Sequence, residues 1–183
     1  MLKFTLIKIS IIFISSCFAL ISFELFLGFS PFEYGTSPVE YDKEIGMWHK
    51  KNYKGSAISE CYNTKYIFNE EGLPNSIHNY DTSKRDVILL GASFVEALMV
   101  ENQNIIHNSL AKEFNGKYNF MNYALSGAGP TQEFVILKEK VNLENSRYVI
   151  QFIEIEGDLL DVDSNNLGAL ARPKVYVEFD NID

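Results

Sequence analysis

The sequence predicts an α/β domain with a parallel sheet, carried behind one apolar helix long enough to cross a membrane. Three observations predict it. An uncharged run extends from Ile9 to Phe23. From Arg85 onward, strand-like and helix-like segments alternate. Glycine-rich turns follow the strand-like segments.

The N-terminal run follows Lys3 and Lys8 and is itself followed by Glu24. A helix over residues 4–27 would extend about 36 Å, enough for a hydrocarbon core of ~30 Å. Lys8 and Glu24 then lie near its ends, where their charges reach the headgroups. Lysines precede the run, and Glu33, Glu40 and Asp42 follow it. The positive-inside rule therefore places the N-terminus in the cytoplasm and the remainder on the outer side. Two alternatives stay open. A cleaved signal peptide has a similar charge layout, although no A-x-A site occurs. Ile14-Ser15-Ser16-Cys17 is similar to a lipoprotein cleavage box, although the residues after Cys17 stay apolar.

At 183 residues the chain has room for one domain and an appendage. Hydrophobic residues make up 46% and charged residues 22%, which suits a packed core. The net charge of −8, with no basic block, argues against nucleic acid as a partner. The two cysteines and three histidines form no zinc-type spacing, so no metal or other cofactor is expected.

Three regions follow: a membrane anchor over residues 1–28, a membrane-proximal stalk with small β elements over 29–84, and an α/β domain over 85–183. Pro31, Pro38 and Pro74 break the middle region, and its tyrosines favour short strands. His49 and His78 read as solvated loop residues there, and Trp48 as a packing or membrane-interface residue.

In the last region, Asp86 to Leu90 is a short apolar run, as in a strand buried on both faces. The sequence predicts a helix over residues 104–114, with Ile106, Leu110 and Phe114 on one stripe and Asn115-Gly116 as its stop. A second strand is expected over 118–125, a helix over 131–141 behind Pro130, and a third strand over 148–155. A further strand-like segment covers 174–179. Alternation at this spacing implies βαβ units, whose ligands bind beyond the carboxyl ends of the strands. Three turns fall at that edge: Gly91-Ala92-Ser93, residues 122–130 and residues 156–163.

In order, these turns resemble the signature blocks of the SGNH/GDSL hydrolases. Gly91-Ala92-Ser93-Phe94 is similar to the first block, Gly-Asp-Ser. Asn122-Tyr123-Ala124-Leu125-Ser126-Gly127 is similar to the second, and Glu156-Gly157-Asp158-Leu159-Leu160-Asp161 to the third, Gly-x-Asn-Asp. Upstream, Phe68-Asn69-Glu70-Glu71-Gly72 resembles the Asn-x-x-Gly element of membrane-anchored members. The resemblance implies a flavodoxin-like three-layer α/β/α sandwich. It also implies serine esterase or acetylhydrolase chemistry, and a place in bacterial envelope or surface-polysaccharide systems. It makes Ser93 the nucleophile, Gly127 a backbone donor to the oxyanion and Asp158 a candidate for the third-block position.

The chemistry fits the residue types. A serine at a strand-to-helix turn exposes its hydroxyl for attack on an ester, and the resulting oxyanion needs aimed donors. The departures are definite. Ala92 stands where the family has Asp. The third-block Asn is absent, with Asp158 or Gly157 in its place depending on alignment. The family's Asp-x-x-His block has no counterpart. His107 reads as a surface or helix-packing residue. With fewer strands than a flavodoxin-like sheet and no such histidine, the chain reads as a partial or truncated frame.

Two functions follow from this reading. One is an ester hydrolase or acyl-modifying protein acting on an acylated polysaccharide or other ester, inactive as this chain. The other is a non-catalytic membrane-tethered binding or scaffold protein for surface-polysaccharide assembly. Plainer roles remain for single residues. Ser93 could cap the next helix through its hydroxyl. Gly127 and Gly129 could form an ordinary turn. Glu154, Glu156, Asp158, Asp161 and Asp163 read as a solvated acidic loop rather than a metal site. A third and weaker alternative has the glycine-rich turns holding a phosphate, without a Walker or Rossmann fingerprint.

Overall fold

A computed structural model describes residues 2–29, 36–76, 78–155, 157–158 and 173–175. The chain falls into two compact units, Met1–Tyr34 and Gly35–Asp183. The first is the helix α1 (Leu2–Phe29). Its stretch Ile7–Leu27 is long and apolar enough to span a membrane. Phe13, Phe18, Leu20, Ile21 and Phe23 are all exposed, so no face of α1 is polar.

The second unit is mixed α/β. It begins with two antiparallel hairpins, β1 (Val39–Asp42) with β2 (Gly46–His49), and β3 (Lys54–Ser59) with β4 (Tyr62–Ile67). These are the short β elements expected of the region, and they share one compact unit with the α/β part. The first hairpin turns where the Asp42 carboxylate accepts the N–H groups of Glu44 and Ile45. Gly46 then takes φ +82°, and a Cβ there would lie 2.5 Å from the Pro173 carbonyl oxygen. A side chain is excluded at this position by both backbone shape and space.

The sheet that follows is three-stranded and parallel, in the order β6 (Asn119–Asn122), β5 (Asp86–Leu90), β7 (Ser146–Gln151). The central strand β5 is buried along its whole length. Its side chains alternate, and the two faces carry separate cores. Ile88 and Leu90 join Ile45, Trp48, Leu73, Tyr123, Leu125 and Ile136 on one face. Val87 and Leu89 join Val95, Ala111, Phe120 and Ala124 on the other. The first face is covered by α4 (Pro130–Lys140) together with the β1–β2 hairpin, and the second by α3 (Ile106–Glu113). Two long-range contacts fix the hairpin to α4: Lys140 Nζ on Asp42 at 2.6 Å, and Gln132 Nε2 on the Ile45 carbonyl at 2.6 Å.

α4 starts as expected, with Gly129 as N-cap and Pro130 in the first turn, and it ends with Lys138 and Lys140. α3 departs from expectation. Its buried residues are His107, Asn108 and Ala111; Ile106 and Leu110 only flank them, and Phe114 is 48% exposed. The stripe is turned because polar groups find partners underneath. Asn108 donates to the Asn102 carbonyl at 2.7 Å, and His107 Nε2 lies 3.4 Å from the Asn75 carbonyl. Of the strand-like segment 174–179 only Lys174 and Val175 are described, without regular structure; residues 176–179 lie outside the described residues.

Candidate functional site

The strand β5 runs into Gly91-Ala92-Ser93, and its neighbours close around that turn. The Leu125 N–H donates to the Gly91 carbonyl at 3.0 Å, from the β6 side. From the β7 side, the Phe152 N–H donates to the Leu90 carbonyl at 3.0 Å. A Cβ at Gly91 would lie 2.6 Å from Val95 Cγ2 and 3.3 Å from the Phe152 carbonyl oxygen, so only glycine fits. The first two turns thus meet at the carboxyl edge of the sheet, beside the segment that leaves β7 at Phe152, where βαβ topology puts ligand sites.

Ser93 opens a short helix, α2 (Ser93–Glu96). The N-cap is Ala92, with no side-chain cap, so the capping role considered for the Ser93 hydroxyl is not the one it plays. Ser93 is half-buried, and the next residue, Phe94, is 78% exposed. α2 stops at Ala97, which takes a left-handed conformation with φ +55°. The carbonyl that follows, of Leu98, accepts the Thr64 hydroxyl at 2.6 Å.

The second turn is pinned to the first by side chains. Asn122 donates through Nδ2 to the Val95 carbonyl at 2.8 Å and accepts the Ala124 N–H at 3.0 Å. Leu125 to Ala128 form a tight turn closed by a 3.0 Å hydrogen bond, with Gly127 at φ +74°. That left-handed φ is what glycine permits at low cost. Neither the Ser93 N–H nor the Gly127 N–H has a hydrogen-bond partner among the described residues.

Behind these turns lies a buried polar chain. His49 was expected to be a solvated loop residue; instead it is 0% exposed. Its Nε2 lies 2.6 Å from Glu96 Oε1, and its Nδ1 lies 2.9 Å from the Gly72 carbonyl oxygen. The second Glu96 oxygen accepts the hydroxyl of Ser126. A carbonyl can only accept, so Nδ1 carries a hydrogen. One further proton then lies between Nε2 and Oε1. The His49 ring stacks on Phe68, with centroids 4.3 Å apart and planes 14° apart. Trp48 is a packing residue, one of the two readings left open for it, buried beside His49 with its Nε1–H on the Glu71 carbonyl.

The Asn-x-x-Gly element explains the placement of His49. Asn69 Oδ1 accepts the N–H groups of Glu71 and Leu73, both at 2.9 Å. Gly72 takes φ +83°, and a Cβ there would lie 2.7 Å from Trp48 Nε1. The turn therefore presses against Trp48 and aims a carbonyl at His49.

The third turn is only partly described. Asp158 is buried rather than solvated, because its carboxylate accepts the Glu154 N–H at 2.7 Å. Held this way, it acts as a turn clasp. Glu156, Asp161 and Asp163 lie outside the described residues; Glu154 is exposed. Among the described residues no group of three metal-ligating side chains assembles.

Nearby, Glu133 on α4 is fully buried, with Oε2 on Gln151 Nε2 at 2.8 Å and Oε1 without a partner. Burial lifts its pKa to about 7; the Asp158 charge adds to the shift, and the Gln151 hydrogen bond opposes it.

His107 is a helix-packing residue, one of the two readings left open for it. Its Nδ1 is buried without a partner, and burial lowers its pKa to about 4. His78 is exposed, as expected. The chain has three histidines, all of them described, and none hydrogen-bonds to Ser93.

Sequence reasoning missed His49, Glu96, Ser126 and Glu133. Some signal was present. Glu96 and Glu133 are acidic residues set among apolar neighbours, in Phe94-Val95-Glu96-Ala97-Leu98 and Glu133-Phe134-Val135-Ile136. Charge at such positions is buried only when it has partners. No family model matches the chain, and no curated protein matches it.

Proposed function

We propose that the chain is a membrane-anchored, SGNH-type serine ester hydrolase or acyl-modifying protein of the bacterial envelope, on a flavodoxin-like α/β/α fold. Ser93 fills the nucleophile position, and this polypeptide does not turn over esters. The observation that carries this reading is the meeting of the first two turns at the end of β5, where Ser93 is half-buried beside them. The strand order β6-β5-β7 supports the fold, since it matches the first three positions of a flavodoxin-like 2-1-3-4-5 sheet.

In the proposed chemistry, the Ser93 hydroxyl faces an ester carbonyl of an acylated polysaccharide or a similar substrate. The Ser93 and Gly127 N–H groups would receive the oxyanion. An attacking hydroxyl must lose its proton, and no histidine touches Ser93, so deprotonation at neutral pH is unassisted. The purified full chain in detergent micelles is therefore expected to leave short-chain acyl esters at their background rate. Turnover that disappears in Ser93→Ala would contradict the absence of activity.

That none of the three histidines hydrogen-bonds to Ser93 favours a second reading, a non-catalytic membrane-tethered scaffold or binding protein for polysaccharide assembly. A simple alkylboronic acid separates the two. Its boron accepts the oxygen of an accessible serine at a hydrolase-like site, the hydroxyl proton passing to solvent, to give a tetrahedral anionic adduct detectable by boron NMR. The first reading expects such an adduct on Ser93, and the scaffold reading expects none.

The location proposed is the cytoplasmic membrane, with the N-terminus inside and the α/β unit outside, following the position of Lys3 and Lys8. Cys61 is exposed at the β3–β4 turn and reports on this directly. In intact spheroplasts, a membrane-impermeant maleimide is expected to label Cys61. Labelling only after lysis would place the unit in the cytoplasm.

A further inference from the structure

We propose that His49 and Glu96 are positioning residues for the Ser93 site, acting through Ser126 to hold the Gly127 N–H in place. The inference rests on the reading of Ser93 and Gly127 given above. Its basis is the route of the buried polar chain. It runs from the Gly72 carbonyl through both ring nitrogens of His49 and both oxygens of Glu96 to the Ser126 hydroxyl.

Glu96 stands three residues after Ser93 on α2, and Ser126 immediately precedes Gly127. One carboxylate therefore ties the helix that carries the nucleophile position to the turn that carries the second donor. Asn122 ties the start of that turn to Val95, and Glu96 ties its middle through Ser126. Within it, the Ala128 N–H bond to the Leu125 carbonyl leaves the Gly127 N–H unused.

The chemistry of the pair argues for orientation over stability. A buried imidazole–carboxylate contact pays a desolvation penalty that an apolar pair of the same volume avoids, so it contributes little net folding energy. What it supplies is direction. With one oxygen held by His49, Glu96 presents the other to Ser126, and His49 is held in turn by a carbonyl and by the Phe68 ring. A leucine at position 96 could fill the space but could not orient the Ser126 hydroxyl.

The test uses the full chain in detergent micelles and butylboronic acid as probe, with affinity read by boron NMR and folding read by Trp48 fluorescence. The wild type is expected to form a tetrahedral adduct, and Ser93→Ala to abolish it. Ser126→Ala removes the anchoring hydroxyl without touching the His49–Glu96 pair. It is expected to remain folded and to bind the probe about tenfold more weakly, the effect of one lost hydrogen bond.

Glu96→Gln is expected to stay within about twofold of the wild type, since its amide can donate to His49 Nε2 while its carbonyl accepts from Ser126. A merely structural role would not give this pattern of loss in Ser126→Ala and rescue in Glu96→Gln. Wild-type affinity in Ser126→Ala, with loss in Ser93→Ala, would overturn the positioning role and leave the site reading standing. No adduct in the wild type, or an adduct that survives Ser93→Ala, would overturn both.

Discussion

Glu96→Ala is expected to lower the unfolding free energy by about 2–5 kcal/mol, the combined cost of unpairing buried hydrogen-bonding groups and leaving a void. The substitution strands His49 Nε2 in a position that is 0% exposed, leaves the Ser126 hydroxyl without its carboxylate, and opens a void behind α2. Glu96→Gln keeps both hydrogen bonds and should cost far less. The readout is built into the protein. Trp48 is the only tryptophan, it is buried, and its ring centroid lies 5.0 Å from that of His49. Denaturant unfolding followed by its fluorescence should separate the two variants clearly. A loss below about 1 kcal/mol in Glu96→Ala would mean that the chain of hydrogen bonds behind the turns is not formed.

A second large effect is expected in the pH dependence of stability, where two buried groups oppose each other. Glu133 ionises at about 7 in the folded chain, against an ordinary value of 4.5, because burial disfavours its charge. Folding therefore takes up a proton between pH 4.5 and 7, and this contribution to stability is lost as pH rises through that window. His107 does the reverse. Its folded value is about 4 against an ordinary 6.5, again through burial. Unfolding takes up its proton between pH 6.5 and 4, and stability falls as pH drops through that window. Across its full window each contribution is about 3 kcal/mol.

Between pH 4.5 and 6.5 the two slopes nearly cancel, so the wild-type profile is expected to be close to flat there. Glu133→Gln stays neutral and should leave a profile that rises by about 2–3 kcal/mol from pH 4.5 to 6.5, the His107 contribution alone. His107→Gln should leave a profile that falls from pH 4.5 to 7. Urea melts at a series of pH values test both. Identical profiles for the wild type and Glu133→Gln would mean that the Glu133 carboxyl is solvated.

Periodicity made the sheet legible. Asp86 to Leu90 reads as a doubly buried strand and is one. The Pro130 start placed α4 within a residue of its observed beginning. The helix α3 was found but turned, because an apolar-stripe rule has no term for His107 and Asn108 meeting carbonyls below. The expected third strand was drawn late. β7 spans Ser146–Gln151, and residues 152–154 continue without regular pairing.

The turns around Ser93 could be located from glycine positions, since Gly127 needs its φ and Gly91 its missing Cβ. What supports them could not. His49, Glu96 and Ser126 are 47 and 30 residues apart in sequence. A hydrogen bond at that separation leaves no periodic trace. Asp158 escaped for a different reason: its acidic neighbours made it look solvated, while its carboxylate closes on the Glu154 N–H four residues back.

The convergence of the turns on one small volume is tested most directly by backbone-amide NMR of the full chain, titrated with butylboronic acid. The Ser93 and Gly127 amide resonances are expected to shift together, with one shared dissociation constant, and neither should shift in Ser93→Ala. A shift at Ser93 alone, or none at either amide, would contradict a common site at the end of β5.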